Sequence, residues 1–334
     1  MGPQNIGGLA GLLPLSRRGR ADIKPERTRE IEFGADATFW DERGLLEITW
    51  YRQDVSDLIL IASLPPSSGF IEEFINGGEM RTQGVELGIV LTPIREPSLS
   101  WTSRVNFYKN TSRIKELSVD PFNTGGFATF LGTYRIQKDL PPTTIIGADV
   151  DASGKNIPLG DENPDFRMSF NNRITWNNFE LNFLVEWKQG GHVINLGKLI
   201  TDLGGTTEDY DELGQFTLRT ADGRDSVATL KNGQGRLQVL GLTTKPYIED
   251  GTYIKLREAT LTYNVDREFL RSVFGGALAY LRLGLTGRNL LVITDYTGYD
   301  PEVSQFGSIA IGRSVDTLPF PSSRSFYFNI SLGL

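Results

Sequence analysis

The segment Phe166-Arg-Met-Ser-Phe-Asn-Asn-Arg-Ile-Thr-Trp176-Asn-Asn-Phe179-Glu-Leu-Asn-Phe-Leu-Val-Glu-Trp187 decides how the rest of the chain is read. Phe166, Met168, Phe170, Ile174 and Trp176 precede the Asn177-Asn178 turn, and Phe179, Leu181, Phe183, Val185 and Trp187 follow it. A period of two places these side chains on one face of an extended strand, which a helix with its 3.6-residue turn does not do. The same alternation appears at Ile31, Phe33, Ala35, Ala37 and Phe39, and at Leu46, Ile48 and Trp50. It continues through Val85, Leu87, Ile89 and Leu91, then Leu99, Trp101, Val105 and Phe107. Near the end it returns at Leu281, Leu283 and Leu285 and at Phe326, Phe328, Ile330, Leu332 and Leu334. In Thr252–Val265 the phase inverts, from Ile254 and Leu256 to Ala259, Leu261 and Tyr263, and a β-bulge is the simplest cause. The reading is about nine strands and no amphipathic helix.

The connections alternate between two kinds. Asp41–Gly44, Pro93–Pro97 and Asn177–Asn178 are short and Asp266–Gly276 is modest, whereas Pro65–Glu79, Ser112–Asn163, Ile200–Gly251 and Thr294–Ser323 are long, polar and glycine-rich. Long structureless loops are uncommon in compact soluble domains. Outer-membrane barrels carry short periplasmic turns and long extracellular loops. Trp40, Trp101 and Trp176 fall near short turns and Trp187 near a long loop, as two interfacial aromatic girdles would require; Trp50 is mid-strand and unexplained. A soluble β-sandwich or β-solenoid would alternate in the same way.

Composition removes whole classes of function. The 334 residues include no cysteine and one histidine, His192, so thiolate metal sites, disulfides and two-imidazole sites are out. A formal net charge of -7 argues against nucleic acid as the main partner. Met1-Gly-Pro-Gln-Asn-Ile-Gly-Gly has no basic or apolar signal region, and the longest apolar stretch, Leu58–Ala62, is far short of the roughly 20 residues of a spanning helix.

Several segments resemble the C-terminal part of the SusC/RagA-type TonB-dependent outer-membrane transporters. The most specific is Asn289-Leu-Leu-Val-Ile-Thr-Asp295-Tyr296-Thr-Gly-Tyr299-Asp300-Pro301-Glu-Val303, which is similar to the hallmark after the penultimate strand. Ile23-Lys-Pro25-Glu26-Arg-Thr28 with Glu32-Phe-Gly34 resembles the family's lead into a late strand. Arg81-Thr-Gln-Gly84-Val-Glu86 resembles a strand start, and Asn163–Phe166 with Gln189–Asn195 the next hairpin. Gly251–Tyr263 resembles a further strand. The resemblance implies an all-β antiparallel transmembrane barrel, of which this chain supplies about nine of 22 strands. It divides the chain into a lead-in segment, 1–28, and the C-terminal barrel portion, 29–334, with the plug domain absent.

It also implies a location in the outer membrane of a Gram-negative bacterium and uptake of oligosaccharides or peptides. A SusD-like surface lipoprotein would be the partner, and TonB–ExbB–ExbD would act through the missing plug. The chain departs from the family in ending on Leu334 rather than an aromatic, and in length. Met1 reads as an internal start, and an open nine-strand sheet with two unpaired edges is expected neither to transport nor to close as a monomer by itself.

The chemistry candidates are few. Asp149-Val-Asp151-Ala-Ser153-Gly154 copies half of a calcium loop, but Gly160 stands where a bidentate Glu is required, so a polar turn is the better reading. Glu208-Asp-Tyr-Asp-Glu212 reads as a solvated carboxylate run with nothing to fix it. His192 has no partner for catalysis, no nucleophile motif is present, and neither enzyme activity, metal nor cofactor is expected. Loop aromatics are the remaining signal: Phe70, Phe74, Phe122, Phe127, Phe130, Tyr134, Tyr210, Phe216, Tyr296 and Tyr299 are expected to be exposed. Phe127, Tyr134, Tyr210, Phe216, Tyr296 and Tyr299 are the candidates for glycan or peptide contact, with loop-on-loop packing the competing reading. Two functions follow: part of a nutrient importer, or a soluble carbohydrate-binding or adhesive module. A need for detergent on extraction separates them.

Overall fold

A computed structural model describes residues 2–6, 9–13, 17–64, 66–70, 72–219, 224–307 and 311–334. Its frame is one nine-stranded antiparallel sheet in which every strand pairs with its sequence neighbour. The strands are β1 (Arg27–Phe39), β2 (Gly44–Ser56), β3 (Gly78–Arg95), β4 (Leu99–Leu117), β5 (Phe166–Trp176), β6 (Phe179–Gln189), β7 (Tyr253–Asn264), β8 (Tyr280–Ile293) and β9 (Ser325–Gly333). The alternating apolar residues share the outer face across the ladders. Phe33 opposes Trp50, Trp50 opposes Val85, Ile174 opposes Trp101 and Leu181, and Leu285 opposes Phe328. Phe33, Leu285, Phe326, Phe328 and Ile330 are open to the surroundings, which suits a lipid face rather than a buried sandwich interior. Trp50, unexplained by its position, stacks on Phe33 at 5.9 Å. The sheet is open, and β1 and β9 are not paired with each other.

The short turns hold by particular devices. Trp40, Asp41 and Glu42 all adopt positive φ, and the Arg43 amide donates to the Trp40 carbonyl. Asn177, at φ 49°, forms the two-residue loop in which Asn is tolerated. Pro93 differs from expectation: β3 runs on to Arg95, and the proline sits in a bulge between Leu91 and Ile94, where it leaves no ladder bond unmade. Around Asp266–Gly276 the chain forms α3 (Arg267–Phe274), capped by the Asp266 carboxylate on the Glu268 and Phe269 amides. With α1 (Leu196–Gly204) and α2 (Asn232–Gln238), this corrects the expectation of no amphipathic helix. Helices of 7–9 residues are too short for a 3.6-residue period to stand out.

One outward polar residue is accommodated. Asn172 shares its face with Phe170 and Ile174; it is buried, and the Trp101 indole donates to its Oδ1 at 3.0 Å. A polar group facing hydrocarbon needs such a partner.

The long loops are not structureless. Strands β3 and β4, at 18 and 19 residues, exceed the roughly 9–11 residues that cross a membrane and carry the wall upward. Above them, Phe122–Ala128, Gly132–Ile136, Thr144–Val150 and Asn156–Asp161 form a four-stranded sheet. His192–Asn195 lies between Ile248–Asp250 and, in parallel, Val315–Asp316. Tyr134, Ile145, Ile194, Leu196, Leu199, Tyr247 and Val315 pack together at their centre. This cluster joins three loops that are far apart in sequence into one crown, so the buried apolar core sits in the loops. The wall itself is one layer thick, with outer and lumen faces and no interior.

Candidate functional site

The phase inversion in β7 is a bulge at Arg257: Leu256 pairs with Val185 and Glu258 with Leu184, leaving Arg257 unpaired. The extra residue turns a cation toward the lumen face, where Glu186 of β6 lies. Arg257 Nε donates to Glu186 Oε2 at 2.7 Å and its Nη2 to Glu302 Oε1 at 2.6 Å. Lys255, on the same face, donates to Asp300 Oδ1 at 2.6 Å and to Glu302 Oε2 at 2.5 Å, and the Tyr253 hydroxyl reaches Glu302 at 2.6 Å. Burial by itself would raise the Glu302 carboxyl, but hydrogen bonds from Arg257, Lys255 and Tyr253 outweigh it and hold it down at about 2. The wall thereby clasps the loop that follows β8.

Residues of the hallmark motif build that loop from both ends. Asn289, at φ 52°, donates to the Ser323 carbonyl at 2.9 Å, where β8 and β9 diverge. Thr294 donates to the Thr252 carbonyl at 2.6 Å. The Tyr296 hydroxyl donates to Asp316 Oδ2 at 2.6 Å, and Thr297 donates to Glu249. Asp300 is buried, accepts from Lys255, from the Glu302 amide at 2.9 Å and from Ser322 at 2.8 Å, and is followed by the buried Pro301. Asp295 is exposed. Tyr299 stands out of the loop, 72% exposed.

Two cavities adjoin at Tyr299. One, of about 300 Å³, is lined by Lys255, Asn289, Asp300, Ser322 and Arg324 among others; the second, of about 490 Å³, is lined by Lys198, Thr201, Thr207, Glu208 and Glu212. In the second, Lys198 is paired with Glu249 at 3.1 Å. Lower on the lumen face, Asp36, Glu47, Glu86 and Tyr108 line an open hollow of about 640 Å³.

The loop aromatics divide. Tyr134 and Tyr296 are buried, correcting the expectation of exposure. Tyr134 lies in the crown core with its hydroxyl unpartnered among the described residues, and Tyr296 is bonded to Asp316; burial pushes both phenols up. Their sequence surroundings are polar, and only the crown fold covers them. Tyr210 and Phe216 are half-buried against α2, where a Cβ on Gly233 or Gly235 would meet their rings at about 2 Å. Phe74, Phe70 and Phe122 are half-buried as well. Phe127 remains exposed beside Phe306, ring centres 5.3 Å apart, and Phe130 is exposed.

The other motif residues are placed as staples. Glu26 accepts from the Ile59 amide at 2.7 Å, next to Pro25, and Asn76 brackets Lys24 through both backbone groups. Gly84 leaves room for the Tyr51 ring, which a Cβ would approach to 2.6 Å. Glu86 is on the lumen face. Of the carboxylate run, Asp209 is clamped by Arg236, which also holds the buried Asp202, and Asp211 pairs with Lys231, so two of its four carboxylates are held while Glu208 and Glu212 stay exposed. Asp149 accepts from Thr243 and Thr244, whereas Asp151 closes its own turn on Ser153 and Lys155; the two carboxylates serve different contacts. Among the described residues no group of three His, Cys, Asp or Glu side chains could hold a metal. His192 rests on the Asp161 backbone and over Gly160. Lys255, Arg257, Glu302 and Arg324 were not singled out by sequence; the one signal for them was a basic pair, Lys255 and Arg257, astride the phase inversion.

Comparisons with known proteins agree with this architecture. Two relatives from Formosa agariphila, "TonB-dependent receptor P3" and "TonB-dependent receptor P26", are 25% and 27% identical over 99% and 96% of the chain. The chain spans about a third of their length, 36% of each. Among solved structures, the RagAB peptide transporter matches over 99% of this chain and 38% of its own, with TM-score 0.73 and 18% identity. The RagAB peptide importer in its "open-open" state matches over 100% and 37%, with TM-score 0.72 and 18% identity. These share the fold expected from the SusC/RagA resemblance. Residues 4–290 match the family model described as "TonB dependent receptor-like, beta-barrel", and the chain belongs to that family of outer-membrane barrels.

Proposed function

We propose that this chain forms part of the wall and extracellular crown of a TonB-dependent nutrient importer in the outer membrane of a Gram-negative bacterium. Its cargo is an oligosaccharide or a peptide, a SusD-like surface lipoprotein is its partner, and TonB–ExbB–ExbD supplies the energy through a plug. The observation that carries this reading is the crown clasped to a polar lumen wall with cavities between them, which is an arrangement for capture at the mouth of a pore rather than for catalysis. The likeness to the RagAB peptide importer supports it. Of the six candidate aromatics, Phe127 and Tyr299 are the exposed ones that meet cargo, and Asn289, Tyr296, Asp300 and Pro301 act in holding the loop. Residues 1–28 act as lead-in to the barrel portion, 29–334. Nutrient uptake by cells with and without a functional TonB tests the proposal. Uptake through this receptor should stop when TonB is lost, and undiminished uptake would refute it.

A further inference from the structure

Tyr299 lines both cavities at the top of the wall, and the charge left over on its two sides is opposite. On one side, Lys255 is answered by Asp300 and Glu302, but Arg324 has no ion pair among the described residues. On the other side, Lys198 is answered by Glu249 and Asp209 by Arg236, but Glu208 and Glu212 have no ion pair among the described residues. One end therefore carries an unanswered guanidinium and the other unanswered carboxylates, with an exposed phenol ring between them. Both volumes, about 300 and 490 Å³, fall in the range of small-ligand sites.

We propose that the two cavities form one cleft that reads a short peptide as a zwitterion, its terminal carboxylate at Arg324 and its terminal ammonium toward Glu208 and Glu212. A guanidinium offers two parallel N–H donors to a carboxylate, a pairing that a neutral hydroxyl does not reproduce. Carboxylates accept from an ammonium in the same charge-assisted way. The Tyr299 ring gives the peptide plane an apolar surface at little entropic cost, since only two side-chain torsions are fixed. A neutral oligosaccharide could stack on the ring but would leave both charged ends without a partner. This deepens the importer reading and rests on it, because it names which of the two cargo classes the crown selects.

The test uses outer-membrane vesicles carrying the receptor, with binding followed by equilibrium dialysis. The probes are hexaalanine with free termini, its C-terminal amide, its N-acetyl form, and maltohexaose. Amidation and acetylation should each weaken binding about tenfold, the scale of one charge-assisted hydrogen bond. In Arg324→Gln the amide and the free acid should bind alike, and in Glu208→Gln/Glu212→Gln the acetylated and free forms should bind alike. Tyr299→Ala should weaken all three peptides. All of these side chains are exposed, and heat-modifiable gel migration shows that each variant is assembled. Equal binding of free and capped peptides, a capping effect that survives in the variants, tighter binding of maltohexaose, or no binding of hexaalanine would each overturn the inference. TonB-dependent uptake of another nutrient would then leave the importer reading standing, whereas TonB-independent uptake would remove that reading itself.

Discussion

Replacing Lys255 with Met removes the cation that Asp300 and Glu302 share while keeping the length of the side chain. The Lys255 side chain is 7% exposed and that of Asp300 10%, so the broken pair leaves carboxylates with little water to solvate them. Removing one partner of a buried pair costs about 3–5 kcal/mol. Here the low end applies, because Glu302 keeps Arg257 and Tyr253, and Asp300 keeps Ser322 and the Glu302 amide. About 3 kcal/mol corresponds to roughly two decades in the population of the opened loop. Arg313 lies inside that loop, so trypsin added to intact cells reports the opening. When opening is fast relative to cutting, the rate of cleavage after Arg313 should rise by about a hundredfold. Ser322→Ala removes a single hydrogen bond to Asp300 and should raise it only about fivefold. Heat-modifiable migration should stay unchanged in both, since the ladders do not depend on the clasp. Cleavage of Lys255→Met at the wild-type rate, or no faster than Ser322→Ala, would refute the view that the wall holds this loop.

Arg in place of Leu283 or Phe328, both on the outer face, should cost about 2–4 kcal/mol near the bilayer midplane, whereas changes at Arg282 or Ser325 on the lumen face should be mild; urea titration of folded receptor in vesicles separates the two sets, and equal losses would sink the lipid-face assignment. Trp101→Phe leaves the Asn172 amide facing hydrocarbon without its donor and should cost about 1–3 kcal/mol by the same titration, with the Asn172→Leu change on that background restoring most of it. Acid should loosen the clasp. Because the folded Glu302 carboxyl is held below its ordinary value, at about 2, its contribution is full above the ordinary carboxylate range and is lost as pH falls toward 2. Amide protection at Asp300, Glu302 and Val303 should therefore be high at pH 6 and fall as the pH drops through that interval, once the intrinsic pH dependence of exchange is divided out. Glu302→Gln should lack the transition.

The amino-acid sequence alone determined the wall. Period-two alternation is a local property, so Phe166–Trp187 and its counterparts specify strands, faces and hairpin order without reference to anything distant. The inversion around Leu256–Ala259 even marked the bulge, since one extra residue must exchange the faces. What the tertiary structure decided lies in the crown. Whether Tyr134 is buried or Tyr299 exposed depends on which loop lies over it, and those loops come from positions more than a hundred residues apart, as the pairing of Ile194 with Val315 shows. Irregular segments carry no repeat from which a facing direction can be read. The ion pairs of Lys255 and Arg257 with Glu302 likewise join a regular strand to an irregular loop. Only the folded chain brings them within hydrogen-bond reach, because the basic pair at the phase inversion does not say which distant carboxylate it meets.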